Sequence, residues 1–180
     1  MTTKITLIGY RATGTSTVAK RLSERLGVPT VDTDAEVEAR AGKTIARIFA
    51  EDGEPVFREL EARVVAEFLE SSEPLIVATG GGAPLREETR RAMKARSVVF
   101  WLTASVETIA RRMTGDAETS SRRPSLTGSN SPVGEIASVL EAREPIYREA
   151  ATYVVDTENK SVDAVVAEIC ALSEGESARL

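Results

Sequence analysis

Histidine is absent from the chain, and its absence excludes Ser-His-Asp and Cys-His nucleophilic catalysis and every histidine-ligated zinc site. Acid–base chemistry must then rest on carboxylates, lysine, tyrosine or a thiol. The one thiol is Cys170, so an intrachain disulfide and a cysteine-rich metal site are excluded too, which fits a reducing compartment. Cys170 sits among Ala167, Ile169 and Leu172 and reads as a packed small hydrophobe. A basic surplus is also missing. The formal charge of −5 leaves nothing to neutralise a phosphate backbone, so no nucleic-acid partner is expected. No apolar run approaches the about 20 residues of a membrane span, and Met1-Thr2-Thr3-Lys4 does not read as a signal peptide. The expected protein is cytoplasmic, free of membranes and active on small molecules. With 180 residues, 42% of them hydrophobic, the chain has material for a full single-domain core.

What is present is an alternation of short apolar runs with helical patterns. Ile5-Thr6-Leu7-Ile8 ends at Gly9; Val28 to Val31 ends at Asp32 and Asp34; Leu75-Ile76-Val77-Ala78 runs into Thr79-Gly80-Gly81-Gly82. Val98–Leu102 and Tyr153–Val155 complete five strands. Between them, Val18, Leu22 and Leu26 mark a helix closed by Gly27, and Phe57, Leu60, Val64 and Phe68 mark a longer one with Pro55 near its start. Ile136, Leu140, Arg143 and Tyr147 share a third helical face. Strands apolar throughout and separated by helices imply an α/β fold, a five-stranded parallel sheet with helices on both faces. Ligands of such sheets bind beyond the carboxyl ends of the strands, where Gly9 onward, Asp32/Asp34 and Gly80–Gly82 converge. One domain is expected over residues 1–172, with a polar, flexible tail over 173–180. Residues 115–132 lack hydrophobic periodicity and read as a functional lid or a disordered loop.

The first strand is followed by Gly9-Tyr10-Arg11-Ala12-Thr13-Gly14-Thr15-Ser16-Thr17, which opens a helix. The phosphate-loop pattern G-x-x-x-x-G-K-[ST] is matched at Gly9, Gly14 and Ser16 but not at Thr15, where lysine is required. Taken alone, such a turn is either a phosphate cradle or a tight connection.

Six ordered motifs then point one way. They are this loop, Val31-Asp32-Thr33-Asp34, Gly53-Glu54 with Phe57-Arg58 and Glu61, Thr79-Gly80-Gly81-Gly82, Arg123-Pro124, and Arg143-Glu144-Pro145-Ile146-Tyr147. Together they resemble the shikimate kinase family. The resemblance implies a P-loop fold of the nucleoside-monophosphate-kinase-like type, with a substrate-binding region at about 33–61 and a mobile lid at about 114–128. It also implies the family reaction in aromatic amino-acid biosynthesis, transfer of the ATP γ-phosphoryl group to the 3-hydroxyl of shikimate with Mg²⁺. Carried over by position, Asp34 takes up the hydrogen bond and proton of the reacting hydroxyl, and Arg58 and Arg143 hold the substrate carboxylate. Gly80, Gly81 and Gly82 meet the ring hydroxyls through backbone. Arg11, Ala12, Thr13, Gly14, Thr15, Ser16 and Thr17 form the nucleotide loop, Ser16 and Asp32 serve Mg²⁺, and Arg123 reaches the phosphates from the lid. The chemistry suits the residue types, since arginine forks fit carboxylates and glycine admits close backbone approach.

Each residue also has a plainer reading. Asp32 or Asp34 could cap a helix, with Asp34 expected to do both jobs. Arg58 with Glu54 and Glu61 could be a solvated ion-pair face. Gly80–Gly82 could be a turn, and Arg122 and Arg123 surface charges.

The chain departs from the family where Ala12 replaces a loop glycine and Thr15 the lysine, and also at Arg47 and Ser125. Loss of one preorganised cation of this kind costs on the order of 10²–10³ in rate, so impaired ATP turnover is expected. Arg11 and Arg123 are the candidates for partial compensation. The competing readings are a non-catalytic shikimate-binding homologue and a related small-molecule kinase acting on gluconate or a nucleotide. With no exposed apolar helix face in the pattern, a monomer is expected.

Overall fold

The computed structural model describes residues 4–115 and 132–177. The elements are β1 (Ile5–Gly9), α1 (Thr15–Leu26), β2 (Thr30–Asp32), α2 (Thr33–Ala41), α3 (Ile45–Glu51), α4 (Glu54–Glu70), β3 (Ile76–Ala78), α5 (Glu87–Arg96), β4 (Val98–Thr103), α6 (Val106–Gly115), α7 (Pro132–Ala150), β5 (Tyr153–Asp156) and α8 (Val162–Ser177). A 3-10 turn over Ala83–Leu85 precedes α5. The strands form one parallel sheet in the order β2-β3-β1-β4-β5.

Strand side chains alternate between two apolar layers, which is why the runs are hydrophobic throughout. Ile5, Leu7, Phe100 and Leu102 face α1 and α8 through Val18, Leu22, Val166 and Ile169. Ile8, Val77, Val99 and Trp101 face α4, α5 and α7 through Val65, Leu69, Met93 and Tyr147. Cys170 is buried in the first layer, as its neighbours implied, and burial pushes its thiol pKa up. A separate cluster, Val37, Ile45, Ile48, Phe57 and Val64, binds α2 and α3 to α4.

Strand limits other than those of β2 fall within one residue of the expectation, and two boundaries differ further. The second strand is Thr30–Asp32 rather than Val28–Val31, because Asp32 pairs in register with Ala78 at the end of β3. The last helix continues to Ser177, into the stretch 173–180 expected as a tail, and the Ser173 hydroxyl donates to the Ile169 carbonyl at 2.8 Å within it. The central part of the expected lid, Arg123 included, lies outside the described residues. No described helix is long and apolar enough to cross a membrane.

Register positions the site. Leu7 and Asp32 both pair with Ala78, so β2 and β3 end at one level, β1 runs two residues further to Gly9, and the loops that follow share one edge.

Candidate active site

The loop after β1 folds tightly before α1 begins. The Thr13 amide and hydroxyl both donate to the Tyr10 carbonyl, at 3.2 and 2.7 Å. Gly14 precedes α1 at φ 98°, in the left-handed region that glycine tolerates. The first helical bond runs from Val18 N to Gly14 O, 2.8 Å, which leaves the amides of Thr15, Ser16 and Thr17 directed out of the helix start.

Ala12 sits at φ 63°. A residue with a Cβ is strained there by roughly 1–2 kcal/mol, which accounts physically for the glycine that the family pattern asks for. Arg112 of α6 steadies this turn from across the molecule. Its guanidinium donates to the carbonyls of Ala12 (3.3 Å) and Thr157 (2.9 Å) and to the Thr157 hydroxyl (3.0 Å). Ala12→Gly should therefore raise unfolding stability by about 0.5–1 kcal/mol, since glycine's larger unfolded-state entropy takes back part of the relief. Urea denaturation reads the shift, and an unchanged or lower midpoint would mean that the turn is unstrained.

Asp32, not Asp34, caps α2. Its Oδ1 accepts from the amides of Asp34 (3.0 Å) and Ala35 (3.2 Å), while its Oδ2 accepts from Ser16 Oγ at 2.5 Å. The expectation that Asp34 does both jobs is thus corrected: β2 ends at Asp32, and only that side chain stands before the free amides of α2. Asp34 lies in the first turn and lines a cleft shared with Arg11, Ala12, Thr15, Ser16, Asp32, Gly80 and Gly81.

On the other side of the phosphate loop is a second cleft. It is lined by residues 12–18 of the loop and α1 together with Arg112, Gly115, Thr157, Lys160, Val162 and Val165. Thr15 and Ser16 border both clefts.

The two arginines expected to hold a substrate are built into the fold. Arg58, with 13% of its side chain exposed, donates to Glu61 at 2.8 Å and twice to Glu54 Oε1 at 3.1 and 3.0 Å. Burial works against its charge, but the Glu61 and Glu54 carboxylates more than offset this and hold its pKa above the ordinary arginine value. Glu61 is 2% exposed, so the pair is no solvated face. The guanidinium packs against Gly82, where a Cβ would overlap Arg58 Nη1, Cζ and Nη2. Gly81 is held just as closely. Its carbonyl accepts from Tyr147 Oη at 2.6 Å and Arg143 Nη1 at 3.2 Å, and a Cβ would stand 3.0 Å from the Gly9 carbonyl. The Gly80 amide donates to Thr33 Oγ1 at 3.4 Å. The glycine run is a junction between α2, α4, α7 and the phosphate loop, not a plain turn.

Arg58, Arg143, Asp34 and Gly80–Gly82 therefore gather at one edge of the sheet beside the loop of Arg11–Thr17. Sequence reasoning missed three contributors, Thr33, Arg112 and Glu135, the last an ion-pair partner of Arg11 at 3.7 Å. Among them only Thr33 lay inside a motif.

The chain is similar to known proteins over most of its length. A family model described as shikimate kinase matches residues 11–173. The chain belongs to the shikimate kinase family. Among its relatives, the shikimate kinase of Symbiobacterium thermophilum is 44% identical over 165 residues, covering 92% of each chain. That of Rhodopirellula baltica is 40% identical over 163 residues, 91% of this chain and 86% of the relative. Among solved structures, the shikimate kinase from Acinetobacter baumannii in complex with shikimate superposes with a TM-score of 0.89 at 32% identity, covering 97% of this chain and 94% of that one. A gluconokinase from Sinorhizobium meliloti, TM-score 0.64 at 21% identity, shares the fold. Members of the family are phosphotransferases on a P-loop sheet, and this chain has both the sheet and the loop.

Proposed function

We propose that the protein transfers the γ-phosphoryl group of ATP to the 3-hydroxyl of shikimate, at a rate lowered by its altered phosphate loop. The observation that supports this most directly is the pair of arginines held at Gly82 and Gly81, the second of these glycines lining one cleft with Asp34 and the phosphate loop. Two forks at a polar, glycine-lined cleft suit a small polyhydroxylated carboxylate.

In this reading shikimate lies in the cleft of Asp34, Gly80 and Gly81, its carboxylate toward Arg58 and Arg143. ATP lies along residues 11–17, its base toward the cleft of Arg112 and Thr157. Asp34 orients the hydroxyl; the hydroxyl oxygen bonds to the γ-phosphorus, the bond to the β,γ-bridging oxygen breaks, and the proton passes to the Asp34 carboxylate. Ser16 and Asp32 form a hard-oxygen pair at 2.5 Å, which suits Mg²⁺, an ion that takes one or two protein oxygens plus phosphates and water. When bound, Mg²⁺ supplies charge neutralisation on the phosphates. Thr15 offers them a hydroxyl where the family has an ammonium. Residues 33–61 serve as the substrate region and about 114–128 as the lid, from which Arg123 reaches the phosphates. The chain acts as a cytoplasmic monomer, in aromatic amino-acid biosynthesis.

Steady-state ADP formation with and without shikimate tests the reading, and a shikimate-dependent rate is expected. A second reading, a shikimate-binding protein without catalysis, draws support from Ala12 at φ 63° and the uncharged Thr15. Calorimetry with each ligand separates them: shikimate binding with no ATP binding and no turnover favours the second. Gluconate and nucleotide acceptors in the same assay test a change of substrate.

A further inference from the structure

Among the described residues, three cations line the two clefts that meet at Thr15: Arg11 in one, Arg112 and Lys160 in the other. Their commitments differ. Arg112 is spent on the two carbonyls and the hydroxyl that hold the Ala12 turn. Lys160 is tied to Glu168 at 2.7 Å and stands on the far side of the loop. Arg11 alone among them shares the cleft of Asp34, Ser16 and Gly81, where the transferred group must pass. Its side chain is 11% exposed, so it is sheltered from solvent. Among the described residues its guanidinium meets the Glu135 carboxylate at 3.7 Å, beyond hydrogen-bond length, and the Tyr10 ring at 5.6 Å. A sheltered guanidinium so loosely paired keeps most of its donors for an incoming anion.

We propose that Arg11 is a catalytic residue of this chain, supplying from the loop itself the positive charge that Thr15 lacks. From its place against Glu135, the guanidinium turns onto the γ-phosphate of bound ATP and binds it through two parallel N–H bonds. The inference rests on the phosphoryl-transfer reading above. It differs from the use of a lysine in one respect: the cation approaches from the acceptor side of the loop, and Glu135 at the start of α7 sets its resting position.

The test is a double-mutant cycle over Arg11 and Thr15, read both as kcat and as the calorimetric Kd of ATP. With Thr15 present, Arg11→Gln should lower kcat about tenfold and weaken ATP binding about tenfold. In the Thr15→Lys background the same change should cost less than about threefold, because the charge is then supplied twice. Arg11→Lys, which keeps the charge but not the paired N–H geometry, should fall between the starting protein and the glutamine variant, and it controls for a folding defect in the latter. Equal losses in both backgrounds, or no loss with Thr15 present, overturns the role of Arg11. Should no variant, Thr15→Lys included, turn over shikimate, the acceptor assignment fails. The ATP-binding cycle then still decides whether Arg11 and position 15 share a phosphate.

Discussion

Thr15→Lys raises kcat for shikimate-dependent ADP formation by roughly 10²-fold, the lower end of what one preorganised cation contributes to a developing charge. The position is prepared for it. Thr15 opens α1 directly after Gly14, borders both clefts, and makes no side-chain hydrogen bond among the described residues. Nothing in the fold depends on its methyl or hydroxyl, and lysine is the better helix former of the two. The gain stays at the lower end because Arg11 already provides part of the charge. Adding Ala12→Gly should contribute little further to kcat and appear as stability instead, since that change acts on a strained backbone rather than on the reacting group. A rate with lysine equal to the starting rate would mean that the missing ammonium is not what limits turnover.

The sheet was legible in the sequence because its three central strands, β1, β3 and β4, are buried on both faces and read as short apolar runs. Of the two edge strands, β5 still carries an apolar run, whereas β2 is only three residues long and half-exposed, so its limits shifted by one or two positions. The site was legible where a motif has a chemical reason, as with Asp34 and Gly80–Gly82. It was not legible where the deciding partner is distant. Asp32 and Asp34 are equivalent helix-start residues on paper, and only pairing with Ala78 assigns the cap to Asp32. Arg58 and Glu61 have the spacing of a surface ion pair, and only Gly82, far along the chain, turns them inward. Arg112 is one of two adjacent arginines on an amphipathic helix, and local sequence contains nothing about the Ala12 carbonyl it holds.

Gly82→Ala should raise the KM for shikimate on the order of 10²–10³-fold. The added methyl would fall on the Arg58 guanidinium, and what must give is the end of a flexible side chain rather than backbone. Arg58 then leaves its place between Glu54 and Glu61, and the substrate carboxylate loses one of its two forks. Two charge-assisted hydrogen bonds, each worth about 1.5–3 kcal/mol, account for an effect of that size. Glu61 also loses its 2.8 Å cation while buried, so stability falls as well, by less than the about 3–5 kcal/mol of a fully broken buried pair because Arg58 can still swing. A fall in stability alone would be the mark of a structural glycine. The discriminating readout is therefore calorimetry at a temperature well below unfolding, where shikimate affinity should collapse while ATP affinity holds. Arg58→Ala supplies the reference: if Gly82→Ala acts by displacing this guanidinium, the double variant is no worse for shikimate than Arg58→Ala alone. Additive losses would mean that the Gly82 backbone meets the substrate independently of Arg58, and would move the fork away from this glycine.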